Sequence, residues 1–277
     1  MSKILIITGQ FPPFTKSLGG ILRIYSFLMT LKKKHKVFLL SGKCISKKNY
    51  GYLGLPKKDL MGVKINYLNN DNFKIITLLS NYKFLRNLFY ILGFDYALNI
   101  NNKYFDEVCK IIKINKIKYV IISSPPFSLF YLVKRIKKKF KNIKIILDYR
   151  DGWSTRISNK FFYPIIFLIK NCVEKKILSY SNFVIAATAN INQNLNSLSD
   201  TKTKLIRNGF LYKPKAKKKI NKKIKIGYFG LISEDFSSYR NIRVIYDVIA
   251  RNEILQKKLI FEFYGNNEIK NNDIKNF

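Results

Sequence analysis

The sequence predicts an α/β fold, a doubly wound parallel sheet followed by the start of a second unit of the same kind. Three observations predict it. Short isoleucine-rich runs recur between helical stretches, as strands buried on both faces of a parallel sheet require. Two tandem proline pairs, Pro12-Pro13 and Pro125-Pro126, each fall just past the carboxyl end of such a run. The strand pattern also stops at a lysine-rich segment over 211–223 and restarts beyond it.

The elements follow in order. ILIIT (4–8) is the first buried strand. The loop GQFPPFTKSLGG leads from it to a helix with Ile21, Ile24, Tyr25, Leu28 and Leu31 at helical spacing. Lys32 to Lys34 sit where cations favour a helix carboxyl end. HKVFLL (35–40) completes a βαβ unit, and VKINYL (63–68) reads as a third strand. Residues 73–100 interleave large apolar groups with Lys and Arg. That pattern fits a helix or helix pair covering the sheet, or an amphipathic face touching membrane or a lipid-linked substrate. A helix from about Asn102 to Asn115 leads into KYVIIS (118–123), and one over about 128–140 leads into IKIIL (143–147). A helix over about 160–179 precedes SNFVIAAT (181–188), a short helix precedes TKLI (203–206), and Asn208-Gly209 makes a turn.

The polar segment 211–223, which contains Pro214, is the predicted linker between a domain over 1–210 and a second one over 224–277. IKIGYFG (224–230), a helix near 239–253 and LIFEFYG (259–265) give the second domain a single strand–helix–strand unit. A βαβ of that size is small for independent stability, so either it docks on the first domain or the chain is a fragment of a longer one, the reading favoured here.

Composition narrows the class. Hydrophobic residues make up 47% of the 277, which excludes global disorder. The formal charge is +36, from 52 Lys+Arg against 16 Asp+Glu. An A/T-rich coding bias, an anionic membrane or substrate, and nucleic acid all fit that balance. Nucleic acid lacks support beyond the charge, because no recognisable binding module accompanies it. Cys44, Cys109 and Cys172 are far apart and form no disulfide or zinc pattern, which suits a reducing cytoplasm. The longest apolar runs, such as FFYPIIFLI (161–169), are far short of the roughly 20 residues needed to span a bilayer, so the chain is expected to be soluble or peripheral.

Proline cannot supply a ladder N–H, so each proline pair ends its strand and stiffens the next loop. Open α/β sheets bind ligands at the carboxyl ends of their strands. The loops GQFPPF, SSPPFS and DYRDGW are therefore expected to rim one crevice. In the last of them Asp148 and Asp151 bracket Arg150, and Trp153, the sole tryptophan, follows. Two readings stand. Either Asp148 and Arg150 pair to brace a turn over Trp153, or a carboxylate faces the crevice.

Taken together, ILIITGQFPPF…GG, IISSPPFS, LDYRDGW, VEKKILSYSNFVIAAT, LIRNGF and IGYFG…YRN resemble the family-4-like glycosyltransferases of GT-B fold, in the branch with a D-x-R-D-x-W element. The resemblance runs over about residues 1–265. It implies two Rossmann-like domains, the first holding the acceptor and the second, incomplete here, holding a nucleotide-sugar. It implies sugar transfer to a glycan or lipid-linked acceptor in cell-surface polysaccharide synthesis, with no metal and no nucleic-acid partner. The expected place is the cytoplasm, with peripheral contact to an anionic membrane.

The residues that match can be weighed against that chemistry. Gly19 and Gly20 open a helix whose free N–H groups favour an anion, and Gly230 offers the same after the second unit's first strand. Arg240 matches a position where the family keeps a phosphate-contacting cation. Asn208 and Gly209 lie in the matching LIRNGF, and the resemblance implies that they bind substrate. Many relatives carry D-x-H-D where this chain has Arg150, and its one histidine, His35, lies before the second strand. Any base must then be an aspartate, Asp151 first and Asp148 second, with Arg150 and Trp153 as neighbours in the binding site. The family's C-terminal E-x₇-E element has no counterpart, which also leaves a non-catalytic GT-B-like scaffold open.

Overall fold

The structure, a computed structural model, describes residues 1–15, 18–43, 49–69, 101–153, 164–209, 211, 223–229 and 243–264. The amphipathic stretch at 73–100, Cys44, Gly230, Arg240 and nearly all of the predicted linker lie outside these residues. The chain divides into two compact units, Met1–Tyr212 and Lys213–Phe277.

In the first unit, β1 (Lys3–Thr8), β2 (Lys36–Gly42), β3 (Lys64–Leu68), β4 (Tyr119–Ser124), β5 (Lys144–Tyr149), β6 (Phe183–Ala186) and β7 (Thr203–Leu205) form one sheet. Their order is β3-β2-β1-β4-β5-β6-β7, and every neighbouring pair is parallel. Parallel strands need crossovers, and the helices that supply them bury both sheet faces. The central strands β1, β2, β4 and β5 are mostly apolar and buried for that reason, whereas the edge strands β3 and β7 are only partly buried. Alternation splits their side chains between two cores.

Ile4, Ile6, Val37, Leu39 and Ile121 pack against Ile21, Ile24 and Leu28 of α1 (Gly19–Leu31). Leu5, Ile7, Val120, Ile122 and Leu147 face the other way. They pack against α2 (Asn101–Asn115), α3 (Leu132–Lys139), α4 (Pro164–Ser179) and α5 (Ala189–Leu198). The helix predicted over about 128–140 divides in two. A 3₁₀ turn, Phe127–Tyr131, buries Phe127, Leu129 and Phe130, and α3 begins only at Leu132. A second 3₁₀ turn, Lys57–Leu60, was not expected from the sequence.

The strand order reverses between β1 and β4, so the loops leaving these strands diverge and open a crevice at their carboxyl ends. Both proline pairs stand at this edge, one after β1 and the other after β4.

In the second unit β8 (Ile224–Phe229) pairs in parallel with β9 (Leu259–Tyr264). Between them lie α6 (Arg243–Ala250) and α7 (Glu253–Lys258), where one helix was predicted. The break has a local cause. The Asn252 side chain accepts a hydrogen bond from the Leu255 N–H at 3.1 Å and so starts a new helix. Lys225 lies 2.5 Å from Glu262 across the strand pair, the lysine exposed and the glutamate half-buried. The pair lowers the Glu262 carboxyl and raises the Lys225 amine.

Candidate functional site

The crevice edge is organised by two arginines. Asp148 lies near the end of β5, opposite Ser123 of β4, and is wholly buried. The Ser123 hydroxyl donates to its Oδ2 at 2.7 Å. Arg23, from the second turn of α1, donates from Nε to Oδ1 at 2.9 Å, and its Nη2 lies 2.8 Å from the same oxygen. Arg23 Nη1 also donates to the Ile206 carbonyl at 2.7 Å and to the Asn208 side-chain oxygen at 3.0 Å. One guanidinium thus ties α1, β5 and the segment leaving β7 together. Taking both charges from water is unfavourable, and the hydrogen bonds around the pair offset that cost.

This corrects the expected brace between Asp148 and Arg150. Asp148 is already engaged by Arg23 and Ser123, and Arg150 lies one step beyond the strand. The Arg150 N–H continues the ladder to the Ser124 carbonyl at 3.0 Å. Its side chain donates from Nε to that same carbonyl at 3.2 Å, and from its two terminal nitrogens to the carbonyls of Gly20 and Pro125. A cation that satisfies carbonyls from α1 and from the SSPPFS loop fixes all three loop regions at one edge.

Trp153 ends the cluster, with its side chain in the other core. Its ring stacks on Phe127 at 5.3 Å between centroids and meets Tyr131 edge-on at 6.2 Å. It is wholly buried, so it packs beneath the loop and presents no ring surface to the crevice. Tyr149 points into the same core, where burial, and then Glu174 of α4, push its phenol well above the usual range. Asp151 is placed differently. It is exposed at the bend, and no hydrogen bond or ion pair holds its carboxylate among the described residues.

Gly19 and Gly20 form the first turn of α1. Leu18 O accepts from the N–H groups of Ile21 at 3.0 Å and Leu22 at 3.2 Å. The glycine N–H groups are left as the free donors of a helix start. A Cβ on Gly20 would lie 3.0 Å from Arg150 Nη1 and 3.3 Å from Gln10 Nε2, so a side chain here would press on the arginine where it meets the helix start. A Cβ on Gly19 would meet nothing within 4 Å. Asn208 and Gly209 are exposed, and both line an open cavity of about 540 Å³ with Gly19, Arg23 and Phe27. Its floor is apolar, formed by Ile121, Ile146 and Ile185.

Sequence reasoning missed Arg23. A signal was present, because Arg23 is the sole arginine before Arg86 in a stretch that otherwise uses lysine. Arginine's planar fork suits buried carboxylate pairing as an ammonium does not, so a lone arginine among lysines marks such a position.

No protein-family model matches the chain, and no curated protein matches it. Solved structures do. Trehalose-6-phosphate from E. coli bound with UDP-2-fluoro glucose is similar at a TM-score of 0.58 and 10% identity, over 96% of this chain and 65% of that one. Arabidopsis thaliana UGT89C1 complexed with UDP-L-rhamnose gives 0.51 and 13%, over 94% and 68%. A putative UDP-N-acetylglucosamine 2-epimerase from Listeria monocytogenes gives 0.51 and 8%, over 99% and 64%. The chain therefore spans about 65% of the length of several of the structures it resembles. At such identities the likeness is one of fold: the chain is an α/β protein of GT-B-like, Rossmann-like architecture.

Proposed function

We propose that the chain is a glycosyltransferase, or part of one, that moves a sugar from a nucleotide-sugar to a glycan or lipid-linked acceptor in cell-surface polysaccharide synthesis. The observation that carries the reading is the meeting of the α1 start, the SSPPFS loop and the DYRDGW loop at one edge through Arg150. An anion-favouring helix start and a free carboxylate are thereby held near each other. The UDP-sugars named with two of the similar structures add support for a nucleotide-sugar.

In this reading the bond from the anomeric carbon to the diphosphate breaks, the acceptor oxygen takes its place, and the hydroxyl proton passes to Asp151. The N–H groups of Gly19 and Gly20 favour the departing negative charge, so protein dipoles do the work with no bound metal. Gly230 and Arg240 serve the donor from the second unit, and Asn208 and Gly209 border the acceptor side. Arg150 and Trp153 position the loop, and Asp148 holds α1 in place through Arg23. The reaction belongs on the cytoplasmic side, with the protein in peripheral contact with an anionic membrane.

The test is transfer by an Asp151→Asn variant in the longest available form of the chain. It keeps its fold and its calorimetric affinity for the nucleotide-sugar but transfers sugar about 10²-fold more slowly. Donor binding without turnover in the unmodified protein supports a non-catalytic scaffold instead.

A further inference from the structure

The lysines that look scattered along the sequence gather on one edge of the sheet. β1, β2, β3 and β5 each begin with a lysine, namely Lys3, Lys36, Lys64 and Lys144. Lys118 and Lys202 immediately precede β4 and β7. They are in line: Lys3 pairs with Lys36, the Lys118 N–H donates to Lys3 O at 3.1 Å, and the Lys144 N–H donates to Lys118 O at 3.0 Å. Helices run back against the strands, so their carboxyl ends add exposed Lys33, Lys34, Lys113, Lys116, Lys138 and Lys139 to this edge.

Two ordinary causes fall short. Helix carboxyl ends favour cations, which accounts for the second group but not for the lysines that open strands. A coding bias toward lysine would load both strand ends alike. At the opposite edge the cations just past the strands, among the described residues, are Lys43, Arg150 and Arg207, and Arg150 is taken up by carbonyls. The acidic residues at the lysine edge among the described ones are Asp200 and Asp59, the latter accepting from the Tyr25 hydroxyl at 3.2 Å. Crowding has a trace as well, since burial and then Lys144 lower the Lys137 amine. Between the lysines stand exposed apolar groups: Met1 at 88% exposure, Ile114 at 69% and Tyr119 at 37%.

We propose that the amino-terminal edge of the sheet is a docking face for anionic membrane lipid. Neighbouring strands are about 4.8 Å apart, so the strand-opening lysines form a shallow row suited to a plane of headgroups. Exposed Ile and Tyr among them suit the headgroup boundary and have no use on a nucleic-acid backbone. Docked this way, the crevice at the other edge faces water, which suits an acceptor glycan that stands away from the bilayer. The inference deepens the membrane part of the proposed function and rests on it for the partner's class alone. Vesicle binding needs neither donor nor acceptor, so it can fail while sugar transfer stands.

The experiment is co-sedimentation of the whole chain with vesicles of neutral phosphatidylcholine, with and without 30% phosphatidylglycerol. Three variants are compared: Lys36→Glu/Lys118→Glu/Lys144→Glu, the same three positions changed to Gln, and a control of equal charge change at the opposite edge, Lys43→Glu/Lys103→Glu/Arg207→Glu. We expect binding only with the acidic lipid and weakening as salt rises. The Gln triple variant should lose about 10²-fold, on the scale of one lipid-facing charge per lysine, and the Glu variant, which reverses each charge, should lose more. The control should lose less than about threefold, since its cations lie at the opposite edge of the same sheet. Should the Glu variant fail to fold, the Gln variant carries the comparison. Equal losses in edge and control variants, or equal binding to neutral vesicles, overturn the proposal. So does salt-sensitive binding to duplex DNA with none to acidic vesicles.

Discussion

At the scale of single residues, Arg23 and Asp148 carry the strongest energetic commitment. Removing one partner of a buried pair strands the other charge, so Arg23→Met should cost about 3–5 kcal/mol in urea unfolding. Asp148→Asn keeps part of the hydrogen bonding and should cost roughly 1–3 kcal/mol. The double change Arg23→Met/Asp148→Leu should recover much of the first loss, because no charge then remains buried. A cost below about 1 kcal/mol for Arg23→Met would mean that the pair does not hold α1 to the sheet. The sequence placed Asp148 at a strand end correctly but suggested its near neighbour Arg150 as partner. The true partner lies 125 positions away. Strand periodicity says which residues face inward, but not which distant helix supplies a counter-charge. Trp153 was read from the sequence either as packing beneath the loop or as a neighbour in the binding site, and its burial against Phe127 fits the first. The Arg150 contacts were not, because backbone carbonyls carry no sequence signature.

At the scale of elements, α1 is where structure and proposed chemistry can be separated. Gly19→Ala meets open space and removes a flexible residue from a helix start, so stability should hold or rise by about 0.5 kcal/mol. If a phosphate approaches Gly19, the same change should weaken nucleotide-sugar binding about tenfold by calorimetry. Gly20→Ala should instead cost about 1–3 kcal/mol, because its Cβ would crowd Arg150 and loosen the loops that Arg150 holds. Equal effects from the two glycines on both stability and binding would contradict this division. The strands were the most legible part of the sequence. Isoleucine-rich runs of five or six residues have few alternatives to a buried parallel strand, and they appear where expected. Helix limits were less legible. Tight turns such as Phe127–Tyr131 and the Asn252 cap depend on local geometry that apolar spacing alone does not reveal.

At the scale of the whole molecule, both cores described in the first unit close within Met1–Tyr212. A chain ending at Tyr212 should therefore unfold in one cooperative thermal transition, as the size of its core allows. A broad, non-cooperative melt would show that the sheet depends on residues beyond it. Sequence reading found the parallel sheet from its repeated units but did not place the lysines together. Their alignment emerges only when strands far apart in sequence lie in register. The central claim is that the crevice serves sugar transfer, and nucleoside diphosphate release tests it most directly. Release is to be followed with a panel of nucleotide-sugars and a glycan acceptor fraction, for the unmodified protein and for Asp151→Asn. The account predicts acceptor-dependent release from one nucleotide class, falling about 10²-fold in the variant while donor affinity is kept. Binding of no nucleotide-sugar, or release at equal rates from both proteins, would contradict it.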